Sequence, residues 1–98
     1  MLIERVDIAV IPGREAEFEG AMEGACSLLA GALGCASVSL ARGVERPSNY
    51  MLLIGWGNLA DHDAFTRTAE FQAFREFAGP YFSGRPTMEH FQPIHPPA

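Results

Sequence analysis

The spacing of apolar residues changes several times along the chain, and each change predicts a new element. Residues 2–11 are rich in Ile and Val and run into Pro12-Gly13, which predicts a first strand that ends in a turn. From Arg14 to Leu33 the apolar residues recur every three or four positions, as on one face of a helix. Three glutamates share the opposite face, so we predict an amphipathic helix that is capped by Gly34.

The alternation of residues 35–42 predicts a second strand. A polar turn containing Gly, Pro and Asn then leads to a third strand over residues 50–57, so the two strands are expected to form a hairpin. In the second strand we expect one face to carry Ala36, Val38 and Leu40 and the other to carry Cys35, Ser37 and Ser39.

The rest of the chain predicts a helical segment followed by a last strand. Asn58 is the predicted N-cap of that segment, and Thr68 is the candidate point at which it divides into two shorter helices. Residues 87–94 predict a fourth strand, which Pro93 and Pro96-Pro97 close.

This order of elements, β-α-β-β-α-β, predicts an α+β fold of the ferredoxin-like type, in which one sheet carries one helical layer. A length of 98 residues leaves no room for a second core, so we expect a single domain over residues 1–98. Its core is expected over about residues 2–94, followed by a short Pro-rich tail.

Both faces of the predicted sheet carry apolar side chains. In the third strand, one face holds Tyr50, Leu52, Ile54 and Trp56, and the other holds Met51 and Leu53. The helices can cover only one face, and a large uncovered apolar surface is unusual in a soluble monomer. We therefore expect the second face to pack against a second copy of the chain, giving a homodimer.

Charge and composition exclude several classes of partner. Seven basic residues stand against 12 acidic ones, for a net charge of −5, so no cluster of cations is present to follow a nucleic-acid backbone. No apolar run approaches the roughly 20 residues of a membrane span. The N-terminus lacks a signal-peptide pattern and the chain has two cysteines, which favour a cytoplasmic protein with reduced thiols.

The stretch WGNLADHDAFTRTAEFQAFREFAGPYF resembles the antibiotic biosynthesis monooxygenase domain family. The resemblance extends over nearly the whole chain, from about residue 2 to about residue 94. The resemblance rests on the third-strand Trp56, the spacing from His62 to Phe65, Phe71 and the turn 79–82. It implies a dimeric α+β barrel in which the sheets of two protomers pack face to face, with a pocket between each sheet and its helices.

The family includes haem-degrading members, and this sequence departs from their pattern. Phe65 and Arg75 stand where those members carry a reactive Trp and a His, and the first strand offers no Asn. The other branches imply a cofactor-independent monooxygenase that uses O₂ on a small aromatic, phenolic or quinol-like substrate. The alternative is a non-catalytic dimeric domain that binds or senses a small molecule.

His62, His90 and Tyr81 are the candidate catalytic residues. A histidine can accept a proton near neutral pH, so that a phenol or quinol becomes an anion able to pass an electron to O₂. The candidate substrate-binding residues are Trp56, Phe65 and Arg75. Each of the three catalytic candidates also has a structural interpretation, as an exposed polar residue, a hydrogen-bonded strand histidine or a turn tyrosine.

Metal ligation is the weaker hypothesis. His62, His90 and His95 have no short ligand spacing and no Cys or acidic pair beside them in the sequence. No Gly-rich phosphate loop, Ser-His-Asp order or nucleophilic Cys motif is present either. We therefore predict neither a metal nor a cofactor.

Overall fold

Four antiparallel strands and three helices make up the protein in a computed structural model that describes residues 1–95. The strands are β1 (Leu2–Ala9), β2 (Cys35–Arg42), β3 (Asn49–Trp56) and β4 (Thr87–Phe91). The helices are α1 (Glu15–Ala30), α2 (Leu59–Phe65) and α3 (Ala69–Ala78), and a single 3₁₀ turn spans Gly79–Tyr81. The strand order β2-β3-β1-β4 confirms the predicted ferredoxin-like α+β fold.

Helix α1 follows the turn at Gly13, whose positive φ of 94° is one that glycine adopts without strain. Its buried face consists of Phe18, Met22, Ala25 and Leu29, at the predicted spacing. The helix ends at Ala30, before the predicted end, and Gly31 rather than Gly34 is its C-cap. Leu33, predicted on the apolar face, is consequently 88% exposed.

The division of the second helical segment is confirmed. The Asn58 side chain caps α2 by accepting a hydrogen bond from the Asp61 N–H at 2.9 Å. Thr68 caps α3 in the same way, accepting from the Phe71 N–H at 3.1 Å. The two short helices are therefore capped separately, and α3 makes its main contacts with α1.

A β-bulge at the start of β2 changes which residues face the helices. Cys35 pairs with Trp56 and Ser37 pairs with the next residue of β3, Gly55, so Ala36 has no partner. Cys35 thus shares the face of Trp56 and packs against the core. The predicted grouping of Cys35 with Ser37 was wrong, because the extra residue breaks the alternation.

The two faces of the sheet differ more than the sequence pattern suggested. The helix-covered face holds the core residues Ile8, Val10, Tyr50, Leu52, Ile54 and Trp56. The opposite face combines apolar side chains such as Ile3 and Leu53 with the ion pair of Arg5 and Asp7, whose atoms are 3.0 Å apart. Both faces thus carry apolar side chains, as predicted, but the open face also carries charged ones.

Strand β4 ends at Phe91, shortly before Pro93, which removes a backbone donor. Pro96 and Pro97, also predicted to close this strand, lie outside the described residues. Within residues 1–95, no helix has the length and apolar character needed to cross a membrane.

Candidate functional site

Three polar side chains from different elements meet on the helix side of the sheet. They are Glu4 of β1, His62 of α2 and His90 of β4, and one nitrogen or oxygen of each lies within 4.8 Å of the others. Glu4 and His90 are directly opposite each other in the antiparallel register, and the cap at Asn58 places α2 so that His62 covers them. Glu4 is 5% exposed and His62 is 6% exposed. We call this group the Glu-His-His cluster.

The orientation of Glu4 is fixed by the fully buried indole of Trp56. The Trp56 Nε1–H donates to Glu4 Oε1 at 2.9 Å, which satisfies the only polar group of the indole. The second carboxyl oxygen, Oε2, lies 3.5 Å from His62 Nε2. That separation is longer than a well-formed hydrogen bond, so this oxygen is available to a further partner.

The two histidines pack against each other, with ring centroids 4.5 Å apart and planes inclined by 73°. His62 Nδ1 lies 3.3 Å from the carboxylate of Asp63, which leaves Nε2 directed at Glu4. His90 Nε2 is buried and has no hydrogen-bond partner among the residues that the structure describes. An unpaired buried polar atom costs about 1–3 kcal/mol, so the position favours a bound water, ion or ligand.

A cavity of about 790 Å³ lies between the sheet and α3 and reaches the cluster at Glu4. Its walls include Val6 and Met88 from the sheet, Phe71 and Phe74 from α3, and the charged side chains Arg75 and Arg85. A smaller cavity of about 40 Å³ continues inward past His62. Apolar walls with a few convergent polar groups are typical of small-molecule sites.

A separate cavity of about 470 Å³ lies between α1 and α2, lined by residues such as Leu28, Ala32 and Asp61. Glu4 and both histidines of the cluster are absent from its walls. Size and enclosure alone therefore do not single out a site, and we assign the candidate site by its polar chemistry.

The predicted site residues separate into two groups. Trp56, His62 and His90 lie together, and Phe65 packs beside Trp56 with ring centroids 5.7 Å apart. Arg75 lies at the cavity wall, its guanidinium carbon 5.9 Å from the centroid of the Phe71 ring.

Tyr81 lies apart from the others. Its ring packs against Phe18 at 6.3 Å and under the Arg14 guanidinium at 5.1 Å, and its carbonyl accepts from the Ile11 N–H. Because Ile11 follows Glu4 by seven residues along an extended chain, Tyr81 and the cluster are roughly 20 Å apart.

Glu4 is the member that sequence analysis missed. Its position in the alternation of β1 is the one signal for it, since an inward-facing acid among Val6, Ile8 and Val10 is unusual. The expectation that no acidic pair stands beside the histidines was wrong, because Asp61 and Asp63 flank His62 in the sequence, and it did not consider Glu4, which is distant in the sequence. The pairing of β1 with β4 brings the acid to them.

Neither thiol contributes to this site. Both cysteines are free, and burial raises the pKa of Cys26 and of Cys35. A raised pKa disfavours the thiolate, which is the reactive form.

Comparison with known proteins places these features in a family. The model of the family described as "Antibiotic biosynthesis monooxygenase" matches residues 1–76. The Bacillus subtilis protein YczJ is 32% identical over 95 residues, which cover 96% of this chain and 100% of YczJ.

Solved structures agree with that match. A crystal structure from Bordetella bronchiseptica that carries the same family name superposes with a TM-score of 0.88 at 36% identity, covering 95% of this chain and 97% of the other. A solved structure from Nitrosomonas europaea gives a TM-score of 0.85 at 14% identity and covers 97% of this chain and 100% of the other, a likeness of fold.

Proposed function

Because the chain belongs to the antibiotic biosynthesis monooxygenase family, we propose that it oxygenates a small phenolic or quinol-like aromatic molecule. One observation carries the proposal: Glu4 of the Glu-His-His cluster lines a cavity whose walls are largely apolar and aromatic, and it also lines the smaller cavity beside His62. A planar substrate would stack against Phe71 and Phe74 and direct one hydroxyl at Glu4 and His62. Arg75 and Arg85 at the same cavity would attract an anionic substituent or product.

His62 is the proposed base of this reaction. Its Nε2 faces Glu4, which lines the cavity, while Asp63 holds Nδ1 and so fixes the ring. Removing the hydroxyl proton leaves an electron-rich phenolate, which can pass one electron to O₂. Recombination of the two radicals forms the carbon–oxygen bond.

The substrate itself supplies all the electrons. A quinol plus O₂ gives a hydroxyquinone plus water: one oxygen atom replaces a ring hydrogen, the other leaves as water, and the ring loses four electrons in total. A CH₂ group flanked by phenolic rings gives a carbonyl plus water with the same balance. No external reductant is required, which agrees with the proposed cofactor-independent reaction.

The proposal includes a homodimer formed through the open face of the sheet. Apolar area on that face is supplied by Ile3, Leu53 and the 42% exposed Phe91. The Arg5–Asp7 ion pair on the same face would make polar contacts with the second protomer. Light scattering at micromolar concentration is expected to give about twice the chain mass of 10.6 kDa. A stable monomer would contradict this assembly, and Leu53→Glu is expected to produce one.

Oxygen consumption tests the reaction. The purified chain is mixed with a panel of hydroquinones and anthrone-type phenols, and O₂ uptake is followed with an electrode. We expect turnover that falls about 10²-fold or more in His62→Gln, the usual range for loss of a general base. His95→Gln is the matched control, because His95 lies beyond β4 and is exposed.

The alternative function gives a different result in the same panel. A non-catalytic binding domain would shift its melting temperature with one of these compounds and return the compound unchanged after hours in air. Equal O₂ uptake by the unmodified chain and by His62→Gln would also reject the proposed role of His62.

A further inference from the structure

We propose that the Glu-His-His cluster is a binding site for a divalent first-row transition-metal ion. Its donor atoms are one carboxylate oxygen of Glu4 and one ring nitrogen each of His62 and His90. Two imidazoles and one carboxylate form a three-point donor set that leaves the other coordination positions of an ion open. The inference goes beyond the proposed function, because binding of the ion does not depend on turnover.

The donors converge without satisfying one another. His62 Nε2 and Glu4 Oε2 are 3.5 Å apart, and His90 Nε2 is buried without a partner among the residues described. Bonds of about 2.0–2.2 Å to a common ion would bring the donors to roughly 3 Å from each other. The present limit of 4.8 Å therefore requires a contraction of about 1–2 Å, within reach of side-chain rotation.

The surroundings of the donors match those of metal ligands. His62 has Asp63 on Nδ1, at 3.3 Å, and so presents Nε2 to the cluster. Glu4 has the Trp56 indole on Oε1, at 2.9 Å, and so presents Oε2. Carboxylates and hydrogen-bond donors in these positions orient the ligands of metal sites and fix the imidazole tautomer.

The ion could reach the cluster through the cavity, and a substrate oxygen could bind to it in addition to the three protein ligands. Glu4 lines the 790 Å³ cavity, which connects the cluster with solvent, and the aromatic walls of that cavity border the open side. A bound ion would occupy His62 Nε2, so His62 could not also act as a base in that state. The ion itself would then attract the phenolate oxygen of a substrate.

Cobalt titration tests the site. The chain is stripped with a chelator, dialysed, and titrated with Co²⁺ while the visible d–d absorption is recorded. We expect one Co²⁺ per chain, and an affinity about 10- to 100-fold weaker, or lower still, in Glu4→Gln and His90→Gln. His95→Gln removes a histidine outside the cluster and should bind as the unmodified chain does.

Two results would overturn the site: the absence of stoichiometric Co²⁺ binding, or binding that survives both Glu4→Gln and His90→Gln. Circular dichroism shows which variants remain folded, and either variant alone is sufficient for the comparison. Zn²⁺ provides a second readout, since it should raise the melting temperature of the unmodified chain and not that of a folded Glu4→Gln.

The titration also separates this inference from the proposed function. A chain that binds Co²⁺ but consumes no O₂ supports the metal site and contradicts the oxygenase. A chain that consumes O₂ at full rate with chelator present and binds no Co²⁺ overturns the metal site alone.

Discussion

Two carboxyl groups on the helix side of the sheet, Glu4 and Glu19, accept similar hydrogen bonds in different surroundings. Strand β3 supplies the donor in both cases, Trp56 to Glu4 at 2.9 Å and the Tyr50 hydroxyl to Glu19 at 2.6 Å. Glu19 has a half-exposed side chain and also pairs with Arg42 at 3.1 Å. Glu4 is buried, and within the described chain the basic group in ion-pair range of it is His62.

The difference distinguishes a carboxyl group with a structural role, Glu19, from one at the candidate site, Glu4. At the Tyr50 end, the Glu19 carboxylate is satisfied by Tyr50, Arg42 and water, so it requires no bound ligand. At the Trp56 end, the buried Nε2 of His90 has no partner among the described residues, which is tolerated where a site has to bind something else. The comparison therefore predicts effects of different size for matched substitutions at the two ends.

The largest expected difference is in turnover. Glu4→Gln should lower O₂ consumption by about 10²-fold or more, because it removes the carboxylate that faces His62 Nε2 and the substrate hydroxyl in the proposed reaction. Glu19→Gln changes the same side chain at the other end of the sheet and should leave the rate within about twofold, the scale of an effect remote from the chemistry. Equal losses in the two variants would show that the ends do not differ in function.

A smaller difference is expected in stability. Trp56→Phe leaves a buried oxygen of Glu4 without its donor, which costs about 1–3 kcal/mol in addition to the lost packing. Tyr50→Phe should cost about 0.5–1.5 kcal/mol, because Glu19 retains Arg42 and water. Urea unfolding followed by circular dichroism measures both. A larger loss for Tyr50→Phe would reverse the assignment of the two ends.

Stability is also expected to depend on alkaline pH. Burial and the hydrogen bond to Glu19 raise the pKa of Tyr50 from its ordinary 10.0 to about 12. The folded chain thus keeps this proton where the unfolded chain loses it, and the contribution is complete below pH 10.0 and is lost as the pH rises through about 12. Urea unfolding at several pH values should show this decline.

Tyr50→Phe should flatten that decline, since the titrating hydroxyl is gone. Tyr81→Phe is the control, because it leaves the bond between Tyr50 and Glu19 in place. An unchanged slope in Tyr50→Phe would mean that another group governs alkaline unfolding.

The fold was predictable because its signals are local. The periods of α1 and β3 and the caps Asn58 and Thr68 each involve residues close together in the chain. The bulge at Ala36 was not predictable, because it depends on how β2 pairs with β3, and an added residue does not change the composition recognisably.

The candidate site was predictable only in part. Trp56 and His62 flank the start of α2, so their proximity follows from a short stretch of chain. The meeting of Glu4 with His90 depends on the register between the first and last strands, which no local pattern specifies. Tyr81 was placed with them on the strength of residue type, and the direction of α3 carries it to the other end of the sheet.

The hydrogen bond between Trp56 and Glu4 has a practical consequence, because Trp56 is the only tryptophan of the chain. All indole fluorescence of the protein therefore originates at one edge of the cluster. Any molecule or ion that draws Glu4 away from the indole should alter the emission, and a paramagnetic ion such as Co²⁺ should quench it. The protein thus contains its own optical probe, and occupancy of the site can be followed without a label.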